Sequence, residues 1–307
     1  MSQEAATQPS ASFREPRIWL PFLLITLIWG STWIVIRDQI SVVPPGWSVA
    51  YRFAIAGAAM FAFAAARGVP LRLDARGHLL ALAFGVPQFC LNFNFVYIAE
   101  RYITSGLVAL VFALLMVPNA LLARIFLGQK VGRRFVLGSA IALAGIALLF
   151  VQEVRADQSG LAAVLSGIAL TLCGVMAASA ANVSQAGPAM RARPLEAMIA
   201  WGMFYGLLAD VAFAWAMHGP PAAEPRWGYW AGLLYLALVA SSLAFLFYFR
   251  LVRLIGPGRS AYSSVLVPII AMAFSTAFEG YAWTPLAIGG SVLALAGLVV
   301  ALRARRI

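Results

Sequence analysis

Few side chains in this chain could do chemistry, and their positions narrow what that chemistry is. Arg52 and Asp210 stand well inside long apolar runs, where nearly every other residue is hydrophobic. A charge at such a place costs about 3 kcal/mol on insertion scales. Arg52, about a turn and a half into its run, can anchor a substrate carboxylate, make a gating contact, or bond helix-end carbonyls near the outer face. Asp210 should lie at similar depth, so a pair between them is conceivable. As the single acid well inside a run, Asp210 is also the obvious group to carry a proton. The neutral polar groups say more. Gln88 and Asn92 are four apart and share a helical face, and Thr26, Trp29 and Trp33 trace one side of the first run. Asn119 follows Pro118 in the fourth run, Ser241 and Ser242 fall midway along the eighth, and Tyr248 and Tyr262 lie nearer the cytoplasmic ends of the eighth and ninth. Amide, hydroxyl and aromatic surfaces of this kind make a wet, uncharged cavity that can hold a zwitterion. Their other use is hydrogen bonding between helices, at ~0.6 kcal/mol each. Pro118 and Pro268 interrupt their runs, and a proline frees a carbonyl and bends a helix, as a flexing point or a static kink.

These residues exclude several classes. An enzyme of the membrane interior needs a nucleophile with a base, or paired acids, and one deep aspartate supplies neither. His78 and His218 sit at run ends far apart in sequence, so no metal site is expected. Gly256-Pro-Gly258-x-x-Ala261 formally matches a dinucleotide fingerprint but follows an apolar helix rather than a strand, so no cofactor is expected either. Cys90 and Cys173 fall in apolar runs and read as small packing residues, with no disulfide framework.

The elements that position these groups must be membrane helices. Hydrophobic residues make up 63% of the 307 and charged ones only 11%, far from a soluble domain. Ten runs can be drawn, roughly 18–36, 47–66, 78–98, 103–123, 133–151, 160–182, 195–217, 227–249, 259–278 and 284–302. Runs this long and continuous satisfy their own backbone in hydrocarbon only as helices. The first lacks a small-residue cleavage site and reads as a retained span. Trp19, Trp47, Trp215, Trp227 and Trp283 fall at run ends, as in an interfacial belt. Of 22 Lys and Arg, only Arg37, Arg101, Arg155 and Arg226 lie in loops on one side. Arg52 is inside a run and the rest share the other side. The net charge of +11 is therefore a positive-inside signal placing both termini in the cytoplasm, not a nucleic-acid surface.

The runs are also written twice. A shift of 152 residues carries Phe126, Gly128, Gly138, Ser139, Leu143, Ala144 and Gly145 onto Phe278, Gly280, Gly290, Ser291, Leu295, Ala296 and Gly297. The glycine and alanine stripes in both copies suit close helix packing or a dimer contact. Five spans per half is odd, so the second half enters the membrane inverted, and the loop charges agree. Lys130, Arg133 and Arg134 follow span 4, whereas its counterpart, span 9, is followed by Glu279 alone. The expected fold is an all-α membrane protein, ten transmembrane helices in two inverted five-helix repeats around a central cavity. Its parts are a mobile cytoplasmic tail (1–16), the first repeat (17–151), an external linker (152–159), the second repeat (160–302) and a basic cytoplasmic end (303–307).

Trp29-Gly30-Ser31, Arg52, the run through Tyr97, Ala99, Tyr102 and Ile103, and Leu254-Ile255-Gly256-Pro257 followed by Leu266-Val267-Pro268 resemble the drug/metabolite transporter superfamily, in its ten-helix, two-repeat (EamA-type) branch. The likeness covers nearly all of the chain after residue 17. Two departures stand out: Gln129 replaces the usual acidic residue after the Gly128 turn, and Pro118 lies two positions beyond the repeat equivalent of Pro268. The resemblance implies a bacterial inner-membrane exporter of amino acids, including aromatic ones, or other small metabolites. It also implies a cavity lined by spans 1, 3, 4, 6, 8 and 9. Sugar nucleotides would want several buried cations, and lipophilic cations a carboxylate in span 1, which is absent. Neutral or zwitterionic solutes remain, with amino acids the best single reading and multidrug or lipophilic-compound efflux the alternative; a channel or scaffold is a further class. The partners implied are a small-molecule substrate and the lipid bilayer, with no nucleic acid, and the chain is a monomer or a dimer.

Overall fold

Helix is the only regular structure found among the described residues, as a chain this apolar requires. The structure, a computed structural model, describes residues 15–156, 160–261, 263–278, 280 and 282–302. Eight helices are long and apolar enough to cross a bilayer: α1 (Pro16–Gln39), α2 (Pro45–Ala66), α3 (Ala75–Ala99), α4 (Ser105–Leu127), α5 (Arg133–Ala156), α6 (Leu161–Ala186), α7 (Leu195–His218) and α8 (Trp227–Ile255). Two shorter apolar helices follow, α9 (Ser263–Phe278) and α10 (Pro285–Leu302). Single helical turns, Pro188–Arg191 and Pro257–Ser260, lead into α7 and α9.

Local chemistry sets the ends. Pro45 opens α2, where its missing N–H costs nothing. The Asp74 carboxylate accepts from the Gly77 amide at 2.9 Å and caps α3. Gly128 closes α4 with φ +64°, and Gly280, its counterpart after α9, has φ +70°. The expected linker is partly helical, because α5 continues through Gln152 to Ala156. Residues 157–159, 1–14 and 303–307, which hold the rest of the linker and nearly all of both tails, lie outside the described residues.

The largest core joins α1, α2, α3, α6, α7 and α8. Its centre is a set of phenyl rings in edge-on contact, Phe53–Phe93 at 4.8 Å, Phe84–Phe249 at 5.2 Å and Phe89–Phe245 at 5.4 Å. Trp47 belongs to a buried cluster with Ala214 and Tyr229 and donates to the Gly219 carbonyl at 3.2 Å. It is not a belt residue, because the α7–α8 connection folds over it. Trp19, Trp215, Trp227 and Trp283 are exposed.

α5 and α10 form a separate pair. Along α5, Gly138, Ala142, Gly145 and Leu149 meet Ala301, Gly297, Ala294 and Gly290 of α10, so the two run antiparallel. The backbones touch: a Cβ on Gly145 would stand 2.6 Å from the Gly290 carbonyl oxygen. The small-residue stripes therefore pack against each other.

Three helices depart from α geometry. α3 is π-helical over Val86–Leu91, at Pro87, and α8 over Tyr235–Leu243. α4 tightens to a 3₁₀ turn at Ala113–Leu115. That turn brackets Leu114, whose carbonyl Pro118 cannot bond. Pro268 lies inside α9, whose helical course continues through it.

Candidate substrate cavity

The helices line a cavity of about 80 Å³, several times the space one water needs. α1 supplies Trp29, Thr32, Trp33 and Ile36, α2 Arg52, and α3 Gln88, Asn92, Phe93 and Val96. Phe112 and Leu115 come from α4, Ala178 and Asn182 from α6, Phe245 and Tyr248 from α8, and Ser263, Ser264 and Val267 from α9. The six helices implied by the resemblance all contribute, and α2 joins them through Arg52.

The π segments organise the polar wall. A π turn adds a residue and so rotates the next stretch of helix relative to a regular one. In α3 the segment contains Gln88 and delivers Asn92 just beyond it; in α8 it contains Ser241. The 152-residue shift carries 86–91 onto 238–243, so the two irregularities occupy matching places.

Arg52 is 1% exposed. Its Nε donates to Ser241 Oγ at 2.8 Å and its Nη1 to the Tyr97 hydroxyl at 3.2 Å. The guanidinium carbon lies 4.5 Å from the Phe93 ring centroid. It bonds no helix-end carbonyl and makes no ion pair among the described residues. Asp210 stands apart, with Oδ1 accepting from Asn94 Nδ2 at 2.6 Å. The conceivable Arg52–Asp210 pair does not form, because each residue faces a different side of α3.

Aromatic rings make the other walls. Trp29 lies 5.0 Å from Tyr248 and 5.4 Å from Phe245, and donates its indole N–H to the Ala240 carbonyl at 3.1 Å. Trp33 packs on Phe112 at 5.9 Å. Four buried polar atoms on lining side chains have no hydrogen-bond partner among the described residues: Gln88 Oε1, Asn92 Oδ1, Trp33 Nε1 and the Tyr248 hydroxyl. Buried polar groups are nearly always bonded, so these four atoms are open to a polar ligand or water.

The cavity thus brings together Trp29, Trp33, Arg52, Gln88, Asn92 and Tyr248. Other candidates lie around it. Ser241 sits beneath Arg52. Asn119 accepts from Asn182 at 3.4 Å, beside Tyr248 but outside hydrogen-bonding geometry with it. Thr26 turns back to the Phe22 carbonyl at 2.7 Å, and Ser242 donates to the Ala56 and Ala237 carbonyls, so neither lines the space. Tyr262 lies outside the described residues. Thr32, Asn182, Phe93, Phe112, Phe245, Ser263 and Ser264 join the lining without being expected from sequence. Asn182 carries a signal, an amide in a largely apolar run, whereas the phenylalanines are indistinguishable from packing residues.

Polar ties close the helix ends. At the end of α1, Asp38 holds Arg226 at 2.9 and 3.0 Å, and Gln39 donates to the Tyr229 carbonyl at 2.8 Å. Glu224 and then Asp38 raise the Arg226 pKa above its ordinary value. Between the α2–α3 and α6–α7 connections, Arg193 bonds Asp74 at 2.8 and 3.1 Å. Those bonds, with the Gly77 amide, hold the Asp74 carboxyl below its ordinary range.

A sequence profile of the EamA-like transporter family matches residues 17–151 and again residues 165–303. "Protein PagO" of Salmonella typhimurium is 23% identical over 273 residues, covering 88% of this chain and 87% of that one. A "Probable amino-acid metabolite efflux pump" of the same organism is 26% identical over 287 residues, 91% and 92% of the two chains. A solved crystal structure superposes with a TM-score of 0.67 at 20% identity, over 92% of this chain and 95% of the other, a likeness of fold.

Proposed function

We propose that this chain, which belongs to the EamA-like transporter family, exports neutral amino acids, aromatic ones included, or similar small zwitterionic metabolites across the cytoplasmic membrane. The protein is a multi-pass membrane transporter with a small-molecule substrate. The single observation that carries the substrate reading is the cavity's polar inventory. It has no acidic side chain among the described residues, and it offers unpartnered acceptors at Gln88 and Asn92 and an unpartnered donor at Trp33 within aromatic walls. Such a lining offers hydrogen bonds to both charges of a zwitterion. The similarity to a probable efflux pump for amino-acid metabolites supports both substrate and direction.

Alternating access is the mechanism this architecture suits. In our reading ten helices cross the bilayer, α9 and α10 included, as two inverted repeats at 17–151 and 160–302, with both termini cytoplasmic. The double profile match, the antiparallel packing of α5 on α10 and the matching π segments of α3 and α8 all support it. Pro118 and Pro268 are the candidate flexing points. The aromatic walls also suit lipophilic compounds, which keeps multidrug efflux as a second reading.

Purified protein in proteoliposomes, given a panel of labelled neutral amino acids and lipophilic drugs with and without a pH gradient, tests this. Saturable flux of amino acids is expected. Flux of drugs with none of any amino acid would transfer the assignment to the second reading.

A further inference from the structure

Arg52 is the one charged side chain among the described residues that line the cavity, and neutral groups hold it. Ser241 takes its Nε, Tyr97 its Nη1, and the Phe93 ring one face of the guanidinium. Its remaining nitrogen, Nη2, has no protein partner among the described residues. A buried cation without a counter-ion is expensive in a medium of low dielectric constant, and a planar guanidinium edge is matched by a carboxylate. We propose that the Nη2 edge of Arg52 is a carboxylate-binding site, aimed by Tyr97 and Ser241 as positioning residues, so that this carrier selects solutes with a free carboxylate. The inference rests on the amino-acid reading given under Proposed function and narrows it.

Three features support it. The two groups bonded to Arg52 are hydroxyls, which fix its direction while leaving its charge uncompensated. Asp210, the acid at comparable depth, is engaged with Asn94 instead. Asn92, whose side-chain oxygen is free to accept, is the chain neighbour of Phe93, on which Arg52 rests. A carboxylate on Nη2 and an ammonium on the Asn92 and Gln88 oxygens are then served by groups lining the same cavity. Arg52 thereby becomes more than a helix anchor: the empty carrier holds a cation that its substrate neutralises.

The wild-type protein in proteoliposomes provides the test, by competition against the labelled amino acid it carries best. The competitors are that amino acid unlabelled, its methyl ester and its decarboxylated amine. The ester and the amine are expected to compete at least tenfold more weakly. Equal competition by all three would overturn the carboxylate site while leaving amino-acid transport standing. Absence of flux for every amino acid defeats the underlying reading, and the site with it. For the positioning residues, Tyr97→Phe and Ser241→Ala should raise KM several-fold with kcat within about twofold, and should shrink the preference for the acid over the ester. An unchanged preference in both variants would reduce Tyr97 and Ser241 to packing residues and overturn that assignment.

Discussion

Two pairs of related helices meet in opposite ways. α5 and α10 touch backbone to backbone through glycine and alanine, with a Cβ on Gly297 placed 2.6 Å from the Gly138 carbonyl oxygen. α3 and α8 meet through phenyl rings around two π segments, and the unpartnered acceptors of Gln88 and Asn92 and the seat of Arg52 gather there. The first contact is dry and regular. The second departs from ideal hydrogen bonding, and that departure turns polar groups toward a cavity. In lipid, where apolar helices gain little from meeting each other, close packing of small residues supplies cohesion. The irregular pair is where the polar groups of the cavity collect.

The contrast can be broken most forcefully at the dry pair. Gly145→Leu or Gly297→Leu puts a side chain where a backbone already lies, and overpacking costs typically 1–3 kcal/mol and here more. Loss of monodisperse protein on size-exclusion chromatography is expected. Gly289→Ala, on the same helix with open space around its Cβ position, should behave as wild type. If Gly145→Leu also did, the backbone contact would be refuted.

At the polar pair the fold should survive and transport should suffer. Gln88→Ala removes the acceptor that we assign to the substrate's ammonium; a hydrogen bond to a charged group is worth roughly 1.5–3 kcal/mol. KM for amino acids should therefore rise about tenfold to a hundredfold, read as concentration-dependent flux. Thr26→Val should leave flux unchanged, since among the described residues that hydroxyl bonds only the Phe22 carbonyl. Normal KM in Gln88→Ala would remove Gln88 from the site.

The smallest effect lies outside both pairs. Asp74 and Arg193 tie two connections, and the Asp74 carboxyl is held below its ordinary value by Arg193 and then by the Gly77 amide. A lowered native pKa stabilises fully above the ordinary carboxylate value of 3.8, and the gain is lost as pH falls through the lowered one. Asp74→Asn should thus melt slightly below wild type at pH 7, with the two curves converging at acid pH. A constant difference across that range would assign the effect to capping rather than to the ion pair.

How legible the molecule is from its residues tracks the same divide. The stripe of Gly138, Ala142 and Gly145 announces packing because small residues at helical spacing have few other uses in lipid. Gln88, Asn92, Trp29, Trp33 and Tyr248 stand out as polar or amphipathic groups in apolar runs, and the fold gathers them. Thr26 misleads because a threonine can satisfy itself on its own helix, as its bond to Phe22 shows. Phe93, Phe112 and Phe245 carry no mark that separates a cavity wall from a core. The π segments are hidden because a local change of hydrogen-bond register leaves composition untouched. Gln152 reads as the start of a linker although polar residues extend α5 to Ala156.

Two halves facing opposite ways, with Gly128 and Gly280 at matching turns, are the premise on which cavity and transport both depend. Gly128→Cys and Gly280→Cys, each made alone in a background lacking Cys90 and Cys173, can be labelled in intact cells with a membrane-impermeant maleimide. Gly280→Cys should be labelled from outside, and Gly128→Cys only after permeabilisation. Labelling of both from one side of the membrane would rule out the inverted repeat.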